Sequence, residues 1–361
     1  MSLWRLSQYR RCDRAGEATD GVRGNTMQPI SYETPDRATV AIAAARQPDS
    51  LFVAGGTTVF DLMKLNVLRA KHLVDVTRLD MPALHSMKVS ADTIWLGAMV
   101  RMADLATHAE IKAICPMIAQ SLDLGASQQI RNMARLGGNV LQRTRCAYYR
   151  EPSFAQCNRR NPGSGCAARD GHNRQHAVLG ASNACIAVYP GDFPQTLIAL
   201  DATVHTLASG AKVREFPFAQ LHRLPGARPD IETVLQPGEL IVGFSIRRGA
   251  WMRRSLYLKI RDRQSYAFAL SSAAVALELT QQGIVNEARI ALGGVATVPW
   301  RAHEAEAVLK ASLFSEDVAR RAARAAFQDA TVHSDNAYKL PLGEQTLVRA
   351  LLSAAALEVS V

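Results

Sequence analysis

The stretch SLFVAGGTTVFDLMK, residues 50–64, decides how the first part of the chain is read. SLFVA is a short apolar run of strand length. GGTT cannot continue a strand, and VFDLMK begins a pattern with helical spacing. Adjacent glycines between a strand and a helix let the backbone come close to a ligand, and the N–H groups that open the helix favour a phosphate. A plain tight turn accounts for the same residues, so both readings stand at this point.

The pattern extends in both directions. Upstream, QPISYETPDRATVAIAAA reads as a strand and then a helix with Pro near its start, which sets the natural start at Met27. Residues 1–26 are polar and without periodicity, and are expected to be a disordered extension. Downstream, KHLVDVT and TIWLGAMV read as strands; the first belongs to a small α/β unit over 27–84, and the second follows it. Residues 101–121 read as two helices split at Pro116. In SQQIRNMARLGGNV the Gly pair stands where a helix is expected to stop. NACIAVYPGDFPQTLIALDATVHTLAS reads as a helix between two strands, and PGELIVGFSIRR as a strand entered from a turn. Past Ala250 the order is strand, loop, strand, hairpin, strand, followed by two or three amphipathic helices from Glu304. The expected fold class is α+β, with one domain over 27–250 (second subdomain 85–250) and another over 251–361.

The chain has 361 residues, nearly half of them apolar and a fifth charged, an ordinary globular composition. No apolar run approaches the ~18 residues of a membrane span, and no membrane insertion is expected. A net charge of +10 invites a nucleic-acid partner. The basic residues are mostly Arg, however, concentrated near the cysteines and without interleaved aromatics, so the expectation is an acidic protein partner and no nucleic acid.

A second Gly pair lies in Arg135-Leu136-Gly137-Gly138-Asn139. Two such turns some 80 residues apart suggest a long ligand held from two sides, as a dinucleotide is. Neither is the G-x-G-x-x-G of a nicotinamide site.

Three of the six cysteines fall in CAYYREPSFAQCNRRNPGSGC, residues 146–166. Cys146, Cys157, Cys166 and the following Cys185 lie on the loop 143–186, of which 150–180 has almost no apolar period. A loop of that length in a compact domain needs something to hold it. Four thiolates suit zinc or a [4Fe–4S] cluster. Zinc ribbons use closely spaced pairs, and the wide, uneven spacings here fit a cubane better. Arg143, Arg145, Arg150, Arg159 and Arg160 are placed to balance the negative charge of such a cluster, though a solvated basic loop is the plain alternative for each. Cys115, in an apolar helical run, reads as a buried small hydrophobe.

These motifs carry a resemblance. AGGTTVFDLMK, IRNMARLGGNVLQRTRCAYYR, CNRRNPGSGCAA, NRQHAVLGASNACIA, YPGDFPQTLIALDA and YLKIRDRQSYAFALSSAAVAL resemble, in order and over roughly 27–355, the FAD-binding medium subunit of the molybdenum hydroxylases, the group of xanthine and carbon monoxide dehydrogenases. The cysteine insertion is most similar to that of the [4Fe–4S]-containing FAD subunit of periplasmic aldehyde oxidoreductases. The resemblance implies a two-subdomain FAD-binding domain of the vanillyl-alcohol-oxidase (PCMH) type, followed by a three-stranded sheet with a helical bundle. It implies that Val53-Ala54-Gly55-Gly56-Thr57-Thr58-Val59-Phe60 wraps the FAD pyrophosphate and that Arg135, Leu136, Gly137, Gly138 and Asn139 close over it. The family has Ser or Thr, then Ile, before its GGN, where this chain has Arg135 and Leu136, so only the backbone role carries over there. Asp192, of YPGD, matches an acid that contacts FAD, with a helix N-cap as its plain rival. Ile241, Val242 and Lys259 match positions along the isoalloxazine or ribityl chain, an exposed strand lysine being the rival for Lys259. The cluster ligands would be Cys146, Cys157, Cys166 and Cys185.

The implied function is electron transfer within a heterotrimer. A large molybdenum-cofactor subunit oxidises an aldehyde, a small subunit with two [2Fe–2S] clusters relays the electrons, and FAD on this chain releases them to an external acceptor. No catalytic acid or base is expected here. The competing readings are a stand-alone flavin oxidoreductase of the same fold and a zinc-stapled basic binding module. Compartment stays open between the cytoplasm and a periplasm reached on a partner's signal.

Overall fold

The structure, a computed structural model, describes residues 29–358. The extension expected at residues 1–26 lies outside these. Three sheets organise the described residues. In the first, β1 (Ser31–Glu33), β2 (Ser50–Val53) and β3 (His72–Asp75) are parallel in the order β1-β3-β2. Parallel strands need crossovers. The helices Ala38–Ala45 and Val59–Lys64 supply them, the first burying Ala41, Ile42, Ala44 and Ala45.

The second sheet is antiparallel: β4 (Met87–Val89), β5 (Thr93–Gly97), β6 (Thr203–Ala208), β7 (Lys212–Pro217) and β8 (Leu240–Arg247), in the order β4-β5-β8-β6-β7. Strand β8 arrives late in sequence yet takes the centre, because LIVGFSIR offers Leu240, Phe244 and Ile246 to the large core. Between β5 and β6 the chain makes short helices. Pro116 is the first residue of Pro116–Asp123, where it costs no hydrogen bond. The two expected helices are three, since His108 ends Met102–Thr107 and caps Ala109–Ile114.

The third sheet has three long strands, β9 (Ser255–Ile260), β10 (Ser271–Leu279) and β11 (Val285–Gly293), with the two-residue β12 (Trp300–Arg301) at one edge. The helices His303–Leu309, Glu316–Ala326 and Lys339–Ala355 cover it. The sequence SSAAVAL of β10 explains how this layer joins the rest. Ala274 and Ala276 face the large core shared by the first two sheets, while Ala273, Val275 and Leu277 face the core under the C-terminal helices. A strand buried on both faces reads as a continuous apolar run, and its small residues let both layers approach.

Two sequence expectations need correction. The Gly pair at 137–138 does not stop a helix: it lies inside a short one, Leu136–Val140. The stretch 183–189 forms no strand ahead of helix Phe193–Ala199. It is held by single contacts, Ala177 N–H to the Ile186 carbonyl (2.9 Å) and Tyr189 N–H to the Ala296 carbonyl (3.0 Å).

Candidate functional site

The two glycine turns meet. A Cβ on Gly55 would lie 2.1 Å from the carbonyl oxygen of Met133 and 3.0 Å from the Cα of Ala134. Only glycine permits that backbone approach. Gly56, at φ +70°, makes the left-handed step that releases β2 into helix Val59–Lys64. On the opposite side, Arg135 pairs with Arg101 in an isolated bridge, Leu136 N–H bonds the Val100 carbonyl (3.1 Å) and Gly137 N–H bonds that of Ala98 (2.8 Å). Leu136 and Gly137 are buried against 98–100, so the backbone at Gly138 is what faces outward. A Cβ on Gly138 would have nothing within 4 Å.

Two buried polar atoms at this junction have no partner among the described residues: Asn139 Oδ1 and Arg135 Nε. The other ends of the same side chains are held, Asn139 Nδ2 3.3 Å from Met102 Sδ and Arg135 Nη1 on the Met99 carbonyl at 3.1 Å. Burial lowers the Arg135 pKa. Orphaned buried polar groups are rare and point to a missing partner. With the close backbone approach and the open face at Gly138, they fit a polar, phosphate-bearing ligand such as FAD. Helix Gln128–Met133 runs from this junction to an open cleft of about 320 Å³ between 123–131 and 261–266.

Beside that cleft lies a buried ion pair. Lys259 Nζ donates to Asp192 Oδ2 (2.8 Å) and to the Leu124 carbonyl (3.0 Å), and the Tyr257 hydroxyl donates to Asp192 Oδ1 (2.7 Å). Burial pushes the Asp192 carboxyl up, against the pull of Lys259 and the Tyr257 hydrogen bond. Asp192 makes no side-chain cap to its helix, so the N-cap alternative does not hold, and Lys259 is not an exposed strand lysine. Ile241 is packed in the large core and Val242 is partly buried against it. Val53 is buried, residues 54–59 are half-buried and Phe60 is exposed.

The cysteine loop is folded around polar contacts. Arg160 Nη1 bonds the carbonyls of Tyr148 (2.9 Å) and Tyr149 (2.7 Å), and Asn158 bridges Gly165 N–H (2.9 Å) and the Ala184 carbonyl (3.0 Å). The arginines are not gathered on the thiols. Arg145 and Arg150 share Asp61, at 2.8 Å each, and Arg143 and Arg159 share Glu232. Of these, Arg159 alone is within hydrogen-bonding range of a sulfur, its Nη2 3.9 Å from Cys185 Sγ. His176 Nε2 lies 3.2 Å from Cys146 Sγ, and burial holds the His176 pKa down at about 4. The Cys146 thiol is pushed up to about 12, chiefly by burial, with Cys185 and Cys157 adding to it. Burial, then Cys185, raises Cys166. The thiols thus act on one another, yet among the described residues no three His, Cys, Asp or Glu are set to hold a metal ion. Cys115 is fully buried, with its pKa at about 12.

Sequence reading missed Glu232, Tyr257, His176 and Asp61. Each is tied to its partner across 30 or more positions, so even where the residue stands in a family-like stretch, as Asp61, His176 and Tyr257 do, its pairing has no local signal.

Comparison with known proteins gives these features a family. Residues 27–246 match the family described as the FAD binding domain in molybdopterin dehydrogenase, and 256–354 match the CO dehydrogenase flavoprotein C-terminal domain. The matched domains and the paired glycine turns define a flavoprotein whose cofactor is FAD. The chain belongs to the FAD-binding medium subunits of the molybdenum hydroxylases, as an oxidoreductase subunit. It is 40% identical over 333 residues (91% of this chain, 99% of the relative) to the aldehyde oxidoreductase FAD-binding subunit PaoB of Escherichia coli. It is 28% identical over 312 residues (84% and 87%) to the 6-hydroxypseudooxynicotine dehydrogenase complex subunit alpha of Paenarthrobacter nicotinovorans. Among solved structures, carbon monoxide dehydrogenase from Hydrogenophaga pseudoflava shares the fold at a TM-score of 0.70, with 24% identity over 91% of this chain and 98% of that one.

Proposed function

We propose that this chain is the FAD-carrying electron-transfer subunit of a heterotrimeric, molybdenum-containing aldehyde oxidoreductase. A large subunit with the molybdenum cofactor oxidises the aldehyde, and a small subunit with two [2Fe–2S] clusters delivers the electrons. Cys146, Cys157, Cys166 and Cys185 would hold a [4Fe–4S] cluster, as a relay between the partner's clusters and FAD or as a staple for the loop, and bound FAD would hand the electrons to an external acceptor. The identity to the aldehyde oxidoreductase subunit over nearly the whole of both chains supports the substrate class.

The observation that carries the electron path is the helix Val59–Lys64. It starts at the Gly55–Thr58 turn, and its next residues hold the cysteine loop: Asp61 binds Arg145 and Arg150, and Leu62 packs with Tyr149 and Cys157. One six-residue helix therefore links the FAD turn to the thiols. Bound FAD supplies chemistry the side chains lack, taking electrons singly or in pairs. The chain's own work is positional. Residues 53–60 and 135–139 hold the dinucleotide, the junction at Asn139 and Arg135 offers it polar partners, and the Asp192–Lys259 pair fixes the cleft wall between the FAD domain and β9.

The test is metal and flavin analysis of the anaerobically purified complex, co-expressed with its neighbouring genes. About four irons per FAD assignable to this subunit, lost in Cys157→Ser while FAD is kept, is the expected result. Flavin with zinc or with no metal overturns the cluster, and aldehyde turnover by the isolated chain overturns the subunit role.

A further inference from the structure

We propose that the open cleft between 123–131 and 261–266 binds a small anion through Arg131 and Arg261. On the electron-transfer role proposed above, on which this part rests, that anion is the external acceptor. Lys259 Nζ (3.0 Å) and Arg261 Nη1 (3.2 Å) both donate to the Leu124 carbonyl, and Arg131 Nη1 donates to the next carbonyl, that of Gly125, at 2.9 Å. Three cations thus converge on one turn. Asp192 neutralises Lys259. Neither arginine meets a carboxylate among the described residues. Asp123, the one acid among those lining the cleft, is exposed and bonds neither of them. The arginines of the cysteine loop differ, since Glu232 neutralises Arg143 and Arg159, and Asp61 neutralises Arg145 and Arg150.

A guanidinium carries five N–H donors, and each of these two spends one on a backbone carbonyl. The carbonyls hold the arginines in place before a ligand arrives, and the remaining donors match a phosphate or carboxylate, which guanidinium grips through paired hydrogen bonds. Both arginines are half-buried, so their charge is less screened than at an open surface. Each wall of the cleft also holds a non-glycine residue in the left-handed region, Ala126 at φ +51° and Tyr266 at φ +50°. Such strained positions gather where ligands are clamped. Arg263 keeps the second wall folded, its Nε donating to the Tyr266 carbonyl at 3.1 Å. A volume of about 320 Å³ is at the small end of ligand sites, so the occupant is a compact anion or the charged group of a larger acceptor.

The test uses the FAD-loaded complex, titrated with inorganic pyrophosphate by calorimetry at low ionic strength. The affinity is expected to fall about tenfold in Arg131→Gln and in Arg261→Gln, with FAD and melting temperature kept. Aldehyde oxidation is then followed with ferricyanide, an anion, and with uncharged benzoquinone. Each aldehyde that takes up one water to become the carboxylic acid releases two electrons and two protons; two ferricyanide ions take the electrons and solvent the protons. The KM for ferricyanide is expected to rise about tenfold in either variant and that for benzoquinone far less, with pyrophosphate competing against ferricyanide in the wild type. Arg321→Gln, on the exposed face of helix Glu316–Ala326, controls for long-range charge and should move neither KM. Pyrophosphate binding equal in wild type and both variants, or a ferricyanide KM that rises no more than that of benzoquinone, overturns the proposal. Loss of FAD from both variants also overturns it, by giving the cleft to the cofactor. A complex that binds pyrophosphate through the two arginines yet passes aldehyde electrons to neither acceptor overturns the electron-transfer reading and leaves the anion site standing.

Discussion

At Gly55 an added methyl group would overlap the Met133 carbonyl oxygen at 2.1 Å, whereas at Gly138 it would meet nothing within 4 Å. On the proposed function, the two glycines separate structure from cofactor. Gly55→Ala is expected to force the loops apart, lowering both thermal stability and FAD retention. Gly138→Ala should leave the apoprotein's melting temperature near wild type and weaken FAD binding severalfold, because the space it fills is the ligand's. Wild-type FAD affinity in Gly138→Ala, by titration of the apoprotein, would remove Gly138 from the site. The Asp192–Lys259 pair gives a second residue-scale expectation. Removing one partner leaves a buried, uncompensated charge, at a cost of about 3–5 kcal/mol. Lys259→Met should lose that much in urea unfolding, and adding Asp192→Asn should restore part of it.

Among the elements, the cysteine loop depends most on distant contacts. Buried Asn173 joins it to the segment before the last helix: its Nδ2 donates to Ser334 Oγ (3.0 Å), its Oδ1 accepts Asp335 N–H (2.9 Å), and Asn336 Nδ2 reaches the Ala177 carbonyl (3.1 Å). Leaving such groups unpaired costs about 1–3 kcal/mol. Asn173→Ala should speed amide exchange across 171–178 and leave the first sheet unchanged; uniform exchange would show that the contact is incidental. What was legible in the sequence follows the same division. The strands other than the one expected at 183–189, the Gly55–Gly56 turn and the hairpin between β10 and β11 are local patterns, and they stand where the residues put them. The short helix across Gly137–Gly138 was not legible, because docking on 98–101 overrides glycine's helix-stopping preference. Lys259 matches a flavin-lining position with an exposed strand lysine as the rival reading, and its burial against Asp192, 67 positions earlier, is not visible in its own strand. The arginines near the cysteines read as cluster counter-charges, yet Asp61 and Glu232, both outside the loop, take four of them.

For the whole molecule the joint is β10, buried on both faces, and the buried Lys339 close to it. Lys339 Nζ donates to the Gln175 carbonyl (3.1 Å) and the Gly294 carbonyl (2.6 Å), fastening the cysteine loop to the C-terminal sheet. No carboxylate bonds it among the described residues, and burial lowers its pKa to about 7. Above that pH the folded state has released a proton that the unfolded chain keeps until about 10.5. Stability from this group therefore rises with pH between the two values, by something on the order of 5 kcal/mol over the full span. Comparing unfolding of wild type and Lys339→Met from pH 6 to 10 isolates it: the wild type should gain on the variant as pH rises, and parallel curves would show that Lys339 keeps an ordinary pKa. The same lysine settles what happens to the fastening when its charge goes. An uncharged amine still carries two hydrogens, and the two carbonyls ask for two, so deprotonation removes the ion and keeps both bonds. The loop stays tied to the sheet on either side of neutrality.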